Sequence, residues 1–355
     1  MCGRSSTSRI QEEAISDRLT PRNGVREMKT NNEHGQSMVI TVLFMVVLLG
    51  FAALVLDVGS WYRAHRAAQS AADASALAGA QELPDGTTAT SLAYEYATKN
   101  TGSGGSYSRQ VKLIQQDYET DTISVKVTRP SPGFFAKIFP GFATVSVTGH
   151  ATARAWNVSQ VRGVAPITVN YKHPLLNCTR GQQPTCNPTF GTNTTLTLED
   201  IHTSGGKDAA GSFGLINLDQ SDPNPGANTL ANWLLNGFPN YLGIGKYESS
   251  TGANFNNSQF TDALDKQIGH ELMFPVYRLL KGPGGNAKYD IIGWVGFVIT
   301  SYTTNGSGGT IYGHFTRYTT DGVPADHGGG GGAKGLGVHK VELSDCKNTD
   351  PCWIP

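Results

Sequence analysis

The sequence is poor in charged residues. Asp, Glu, Lys and Arg make up 16% of its 355 residues, against about 25% in an average soluble domain. The 28 basic and 28 acidic residues cancel, so the chain has no excess of either sign. A nucleic-acid partner calls for a basic surface, and we predict no such partner. Glycine is abundant, at 43 residues, which favours a loop-rich β protein outside the cytoplasm.

Short catalytic motifs are missing as well. The sequence has no G-x-S-x-G elbow, and neither of its Gly-Lys pairs is followed by the Ser or Thr of a phosphate-binding loop. His270-Glu271 begins like a zinc-protease helix, but Phe274 stands where the second His is needed. We therefore predict a non-enzymatic protein without a cofactor or a metal ion. A cell-envelope hydrolase whose site forms only in three dimensions is an alternative.

Cysteines are few, and their positions are informative. Cys178 lies close to Cys186, and Cys346 lies close to Cys352, while Cys2 is left over. Seven and five intervening residues are poor matches to the short spacings of structural zinc sites. We predict disulfides among these four cysteines, although four cysteines allow three connectivities and free thiols are an alternative. Disulfides persist in oxidising compartments, so this half of the chain is predicted to lie outside the cytoplasm.

One long apolar run is present near the start of the chain. Met38–Leu56 contains 19 residues without a charge. As a helix these residues span about 28 Å, close to the roughly 30 Å hydrocarbon core of a bilayer. A cleaved signal peptide has a shorter apolar region of about 7–15 residues, and a buried helix of a soluble core is the other alternative. We predict a retained membrane anchor, with the lipid bilayer as a partner.

Polar and aromatic residues mark the predicted exit from the membrane. Asp57 follows the apolar run, and Trp61, Tyr62 and Arg63 come one turn later. Rings of this kind sit at headgroup level, and Arg reaches the interface. Asp57 is either a solvated helix exit or bonds to a partner or to its own domain, which would set depth and register. Asp73, in the alanine-rich run that follows, has the same two interpretations.

The alanine-rich run predicts that the helix continues out of the membrane to Gln81. Ala68, Ala71, Ala72 and Ser75 share one face at helical spacing. Small side chains allow close approach, either of the chain's own globular domain or of another subunit. Pro84-Asp85-Gly86 is expected to end the helix.

The predicted organisation has four parts and an α+β fold class. Residues 1–34 are predicted to form a disordered tail, with a true start at Met28 as the alternative. Residues 35–83 are predicted to form the transmembrane helix and the alanine-rich stalk. Residues 84–155 form a small α/β module with an antiparallel sheet, and 156–355 form a larger, mainly-β domain with Gly328–Gly332 as a loop tip. In the large domain the predicted strands are Ile167–Tyr171, Thr194–Leu198, Gly214–Leu218, Leu272–Tyr277, Tyr289–Ser301, Thr310–Thr319 and Val338–Leu343, and the predicted helices are Leu230–Leu235 and Ser258–Ile268.

The anchor segment resembles the N-terminal domain of the TadE/TadG-like Flp (tight-adherence) pilus-assembly proteins. The motifs are Gly35-Gln36 before the apolar helix, Asp57-Val58-Gly59 at its exit, Trp61-Tyr62, and the sequence QSAADASALAGA from Gln69 to Ala80. The resemblance implies a membrane-anchored accessory or minor pilin-like subunit. It implies a single pass through the bacterial cytoplasmic (inner) membrane, with the N-terminus cytoplasmic and the bulk of the chain extracytoplasmic.

The resemblance also implies partners among other pilus-assembly or pilin subunits, contacted through the transmembrane and alanine-rich helix. Our candidate residues for the membrane exit and for assembly are Asp57, Trp61, Tyr62, Arg63, Gln69, Ala72 and Asp73. A membrane-tethered adhesive or carbohydrate-binding module is the main alternative function.

Overall fold

The computed structural model describes residues 34–101, 107–116, 120–138, 143–181, 184–198, 211–282, 287–306, 308–325, 333–346 and 350–355. The predicted tail up to residue 33, with Cys2, and the predicted Gly328–Gly332 loop tip lie outside these ranges. The structure has one long apolar N-terminal helix, a few further helices and mostly β-sheet in the larger C-terminal part. The predicted α+β class is therefore confirmed.

Helix α1 runs from His34 to Gln81. In the described part of the chain it is the one helix long and apolar enough to cross a membrane, and its most apolar stretch is not buried at all. The chain divides into two compact units at Ala52, so the second unit begins at Ala53 within α1. The helix ends where the sequence predicts, before a turn in which Asp85 accepts hydrogen bonds from the N–H groups of Thr87 and Thr88 and so caps the next helix.

Helix α2 and the first sheet follow the stalk. Helix α2 is Gly86–Thr101. Strands β1 (Ser108–Gln115), β2 (Thr120–Pro132) and β3 (Thr144–Val161) form an antiparallel meander. Strand β3 continues through residue 155, the predicted domain boundary.

Strands from the end of the chain complete this sheet. Strand β14 (Val338–Ser344) pairs antiparallel with β3, and β12 (Tyr318–Thr319) pairs parallel with β14. Two short strands, β7 (Leu242–Gly243) and β13 (Val323–Pro324), pair with the far end of β3.

The core of this part is made largely of alanine. One face of α1 and one face of α2 pack against the sheet, and the contributing side chains are Ala68, Ala71, Ala72, Ala76, Ala80, Ala89, Ala93, Ala97, Ile123, Val125, Val127, Ala151 and Ala153. Because alanine adds little width to a helix, both helices lie close to the sheet. Of the two predicted uses of the small-residue face, the structure shows packing on the chain's own domain.

The second sheet closes on itself. Its strands are β4 (Ile167–Asn170), β5 (Asn193–Leu198), β6 (Ser212–Leu215), β8 (Gly245–Glu248), β9 (Glu271–Lys281), β10 (Lys288–Asn305) and β11 (Gly308–Thr316). The pairing order is β11-β5-β6-β4-β9-β10-β8, with an additional pairing of β11 with β10. Six strands therefore form a continuous circuit, and β8 pairs antiparallel with the first residues of β10. The circuit is mixed, because β4 runs parallel to β9 and β5 parallel to β6.

Aromatic side chains fill the second core. Phe274 stacks on Phe297, and Phe297 meets Phe315 edge to face. Tyr289 meets Tyr277 edge to face and reaches Gly214, where a Cβ would lie 1.8 Å from the Tyr289 hydroxyl oxygen. Glycine at that position is therefore required by the packing of a buried ring. Helices α3 (Ala227–Asn236) and α4 (Ser258–Gln267) bury their apolar faces against this core.

Two disulfides are present. Cys178 pairs with Cys186 and Cys346 with Cys352, which is the local pairing that the sequence spacing favours. Asp350 lies beside Cys346 and Cys352. Because both sulfur atoms are in the disulfide, these two cysteines offer no thiolate to a zinc ion.

His339 in β14 gives a pH-dependent prediction. Its side chain is buried, and neither ring nitrogen has a hydrogen-bond partner among the described residues. Burial, and then the charge of Arg317, lower its pKa from 6.5 to about 4. Between those values the unfolded chain binds a proton that the folded protein does not, so stability falls as the pH falls.

We expect His339 to contribute a loss of about 3 kcal/mol in unfolding free energy between pH 7 and pH 4. Denaturant unfolding of the wild type and of His339→Gln across this range measures it. The stability difference between the two proteins should shrink or reverse at low pH. Parallel stability curves would show that the native site accepts the proton at no cost.

Candidate functional site

Asp57 binds the turn that follows β2 through both carboxylate oxygens. Oδ1 accepts hydrogen bonds from the backbone N–H groups of Phe134 (2.7 Å) and Phe135 (3.2 Å). Oδ2 accepts from Phe135 (3.1 Å) and Ala136 (2.6 Å). Three successive N–H groups converging on one anion form a backbone nest, and here they open a short 3-10 helix, Ala136–Ile138. Asp57 is 3% exposed, so it bonds to its own domain and is not a solvated helix exit.

Gln69, three turns further along α1, joins the helix to the edge of β3. Its Nε2 donates to the His150 carbonyl oxygen at 2.8 Å, and the His150 N–H donates to its Oε1 at 3.1 Å. Among the described residues, β14 pairs with β3 only from Thr152 onwards, so no strand pairs with β3 on this side at His150. The Gln69 amide pairs there as the backbone of a neighbouring strand would. Nε2 also donates to Asp73 Oδ1 at 2.8 Å, which orients the amide.

Gly149 makes this contact possible. A Cβ at Gly149 would lie 2.3 Å from the backbone C of Ala68 and the N of Gln69. No side chain other than hydrogen fits between the strand and the helix backbone. Sequence inspection missed Gly149, although a lone glycine inside an alternating strand is a signal of close backbone approach.

The end of the chain covers the Gln69 contact. The Trp353 ring lies 4.5 Å from the His150 ring, centroid to centroid, and the Cys346–Cys352 disulfide closes the loop that presents it. Lys126 donates to the Pro355 carbonyl oxygen. His150 Nε2 lies 3.0 Å from Ser124 Oγ, and burial, with the charge of Lys126, lowers the pKa of His150. An open cavity of about 520 Å³ adjoins this cluster.

The remaining candidate residues lie on different sides of α1. Ala72 is fully buried in the alanine core, and Trp61 is half-buried. Tyr62 and Arg63 are exposed. Asp57, Gln69 and Asp73 thus lie where α1 meets the first sheet and the turn after β2. The side chains of Tyr62 and Arg63 are exposed to solvent.

A third attachment lies at the end of the stalk. Arg317, which follows β11, forms ion pairs with Glu82 and with Asp85 (3.8 Å). Its guanidinium lies 4.8 Å from the centroid of the Phe190 ring. Sequence inspection did not find this contact, because more than 200 residues separate the partners.

Comparison with known proteins bears on the segment that makes these contacts. Residues 35–82 match the Tad family model, which describes Flp pilus-assembly TadE/G-like proteins. No curated protein and no solved structure matches the chain. The matched segment contains Asp57, Gln69, Asp73 and Glu82, and of the residues preceding α2 that make these attachments only Asp85 lies beyond it. The resemblance found in the sequence motifs is confirmed by this match of residues 35–82 to the TadE/G-like Flp pilus-assembly family.

Proposed function

We propose that this protein is a non-enzymatic, single-pass subunit of the Flp pilus-assembly machinery, with an accessory or minor pilin-like role. The observation that carries the proposal is the family match over residues 35–82. It is supported by the exposed apolar surface of α1 and by the attachments at Asp57, Gln69 and Glu82. These tie the extracytoplasmic part of the chain to the same helix.

The proposed location is the bacterial cytoplasmic membrane, with the N-terminus in the cytoplasm. Two disulfides in the distal part of the chain support an oxidising exterior for that part. Because the small-residue face of α1 is covered by the chain's own core, we propose that other pilus subunits contact the apolar segment and the exposed side of the helix, including Tyr62 and Arg63. Asp57 and Gln69 would act in assembly by holding this surface in a defined orientation to the domain.

Deletion of the gene, followed by electron microscopy of the cell surface, tests the proposed function. We expect pili to be lost or strongly reduced, and restored by the wild-type gene. Normal piliation of the deletion strain would contradict the proposal.

Complementation with Asp57→Ala tests the role of the carboxylate. The variant should insert into the membrane normally, because removing a charge at the exit does not hinder insertion. It should restore pili several-fold less well, and a photo-crosslinking residue at Tyr62 should capture partner subunits less efficiently. Asp262→Ala, at an exposed acid on α4, is the matched control and should complement fully. Unchanged crosslinking in Asp57→Ala would remove Asp57 from the proposed site.

A further inference from the structure

The turn held by Asp57 exposes large apolar side chains. Phe134, Phe135 and Ile138 are 57%, 44% and 75% exposed. We call these three residues the apolar turn. Among the described residues after the stalk, the other exposed large apolar side chains are scattered singly, except for Tyr94 and Tyr96 on α2. Contiguous exposed apolar groups mark a surface that contacts something other than water.

Asp57 places this turn at one particular level along α1. The carboxylate is bonded to three backbone N–H groups of the turn, and Asp57 directly follows Leu56, the last residue of the apolar run. The turn therefore lies within hydrogen-bonding distance of the predicted exit of α1 from the hydrocarbon. The backbone N–H groups of Phe134, Phe135 and Ala136 face Asp57. The side chains of the apolar turn are exposed.

The composition of the turn fits a lipid interface. Aromatic rings are enriched at the headgroup level of a bilayer, and cations near apolar anchors are attracted by anionic lipids. Lys137, between the aromatic pair and Ile138, is exposed. On α1, Val58 and Tyr62 are exposed within two turns of Asp57, so apolar and aromatic groups from two elements occur at the same level.

We propose that the apolar turn inserts into the outer headgroup–acyl boundary of the bilayer beside α1, as a second membrane attachment of the extracytoplasmic domain. The proposal rests on the proposed membrane anchoring of α1. Its ligand is the lipid surface itself. Two attachments, with Asp57 linking them, restrict rotation of the domain about the helix axis and so present one defined side to other subunits.

Site-directed fluorescence on the full-length chain in lipid vesicles tests the proposal. In a Cys2→Ser background, an environment-sensitive dye is attached to a single cysteine introduced as Ile138→Cys. The matched control is Ile268→Cys, at an exposed isoleucine at the end of α4, which is 41% exposed. Val46→Cys, in the apolar run, reports independently on the anchor. Quenching is measured with nitroxide-labelled lipids and with aqueous iodide.

We expect the dye at position 138 to emit at shorter wavelength than the dye at 268. Its quenching by headgroup-level nitroxide should exceed that at 268 by about threefold or more, with the reverse order for iodide. Iodide quenching at position 138 equal to that at 268 would overturn the proposal. Protection of position 138 from both quenchers would also overturn it, because it indicates that protein covers the turn.

The dye at position 46 separates these failures from a failure of the anchor. If nitroxide-labelled lipids quench it in either case, the anchor stands and only the second attachment fails. Absence of lipid quenching at Val46 would instead overturn the anchor and with it the proposed function.

Discussion

Gly149→Ala is expected to separate α1 from the edge of β3. The new Cβ would lie 2.3 Å from the backbone C of Ala68 and the N of Gln69, and 2.4 Å from the Ala68 carbonyl oxygen. These are backbone atoms, so no rotamer change relieves the clash and the helix must move. Movement breaks both hydrogen bonds between Gln69 and His150 and opens the alanine core. We expect a loss of about 3 kcal/mol or more in unfolding free energy, at the upper end of overpacking effects.

Denaturant unfolding of the detergent-solubilised protein measures this loss. Hydrogen exchange at the His150 amide, which donates to Gln69 Oε1, gives a local readout and should become much faster. Gly226→Ala is the matched control, because a Cβ there meets no atom within 4 Å and the residue has no positive φ. An unchanged midpoint for Gly149→Ala, together with an unchanged exchange rate at His150, would show that α1 does not approach the strand this closely.

Asp121→Ala is expected to have a comparable or larger effect on stability. Asp121 Oδ2 accepts from Arg154 Nη2 at 2.7 Å and Nε at 3.1 Å, and both side chains are 6% exposed. Asp121 Oδ1 accepts from the Gln116 N–H at 3.0 Å and the Thr122 hydroxyl at 2.9 Å. Removing one partner of a buried pair leaves the other charge without its compensating ion, which costs about 3–5 kcal/mol.

A double-mutant cycle separates the pair from its surroundings. Asp121→Leu combined with Arg154→Met should be much less destabilised than Asp121→Leu alone, because an apolar pair leaves no uncompensated charge. Glu95→Ala, which breaks the exposed Glu95–Lys99 pair on α2, should cost less than about 1 kcal/mol. Equal losses from Asp121→Ala and Glu95→Ala would contradict the buried, compensated character of the Asp121–Arg154 pair.

Elements with a strong local pattern could be predicted from the sequence. The helix through residue 81 follows from a charge-free run and an alanine-rich continuation, and the predicted strands Thr194–Leu198 and Val338–Leu343 are confirmed as β5 and β14. Strands β7, β8 and β13 were missed, because two to four residues carry no readable period, and the predicted strand Thr310–Thr319 is divided into β11 and β12. Strand β3 runs past residue 155, the predicted domain boundary, because its last residues pair with β13 and β7 from far along the chain.

Of the candidate site, the sequence predicted the residues on α1 but not the groups that they bind. Asp57, Gln69 and Asp73 were identified because they belong to a motif within a helix. Asp57 bonds to the backbone amides of the turn at Phe134, and Gln69 bonds to the backbone of His150. Backbone groups are the same in every residue, so no side-chain pattern points to them. Gly149 was the one partner with a sequence signal of its own.

The amino-acid sequence by itself determined the length of the apolar run in α1, the helical stalk with its small-residue face and the family resemblance, and it limited the disulfides to three possible connectivities. All of these depend on residues close together along the chain. The tertiary structure alone decided what covers the alanine face, which groups Asp57 and Gln69 bind, that β14 joins the first sheet, and that six strands of the second sheet close into a circuit. These features depend on contacts between distant segments, which arise only when packing brings together backbone groups and side chains that carry no mark of one another in the sequence.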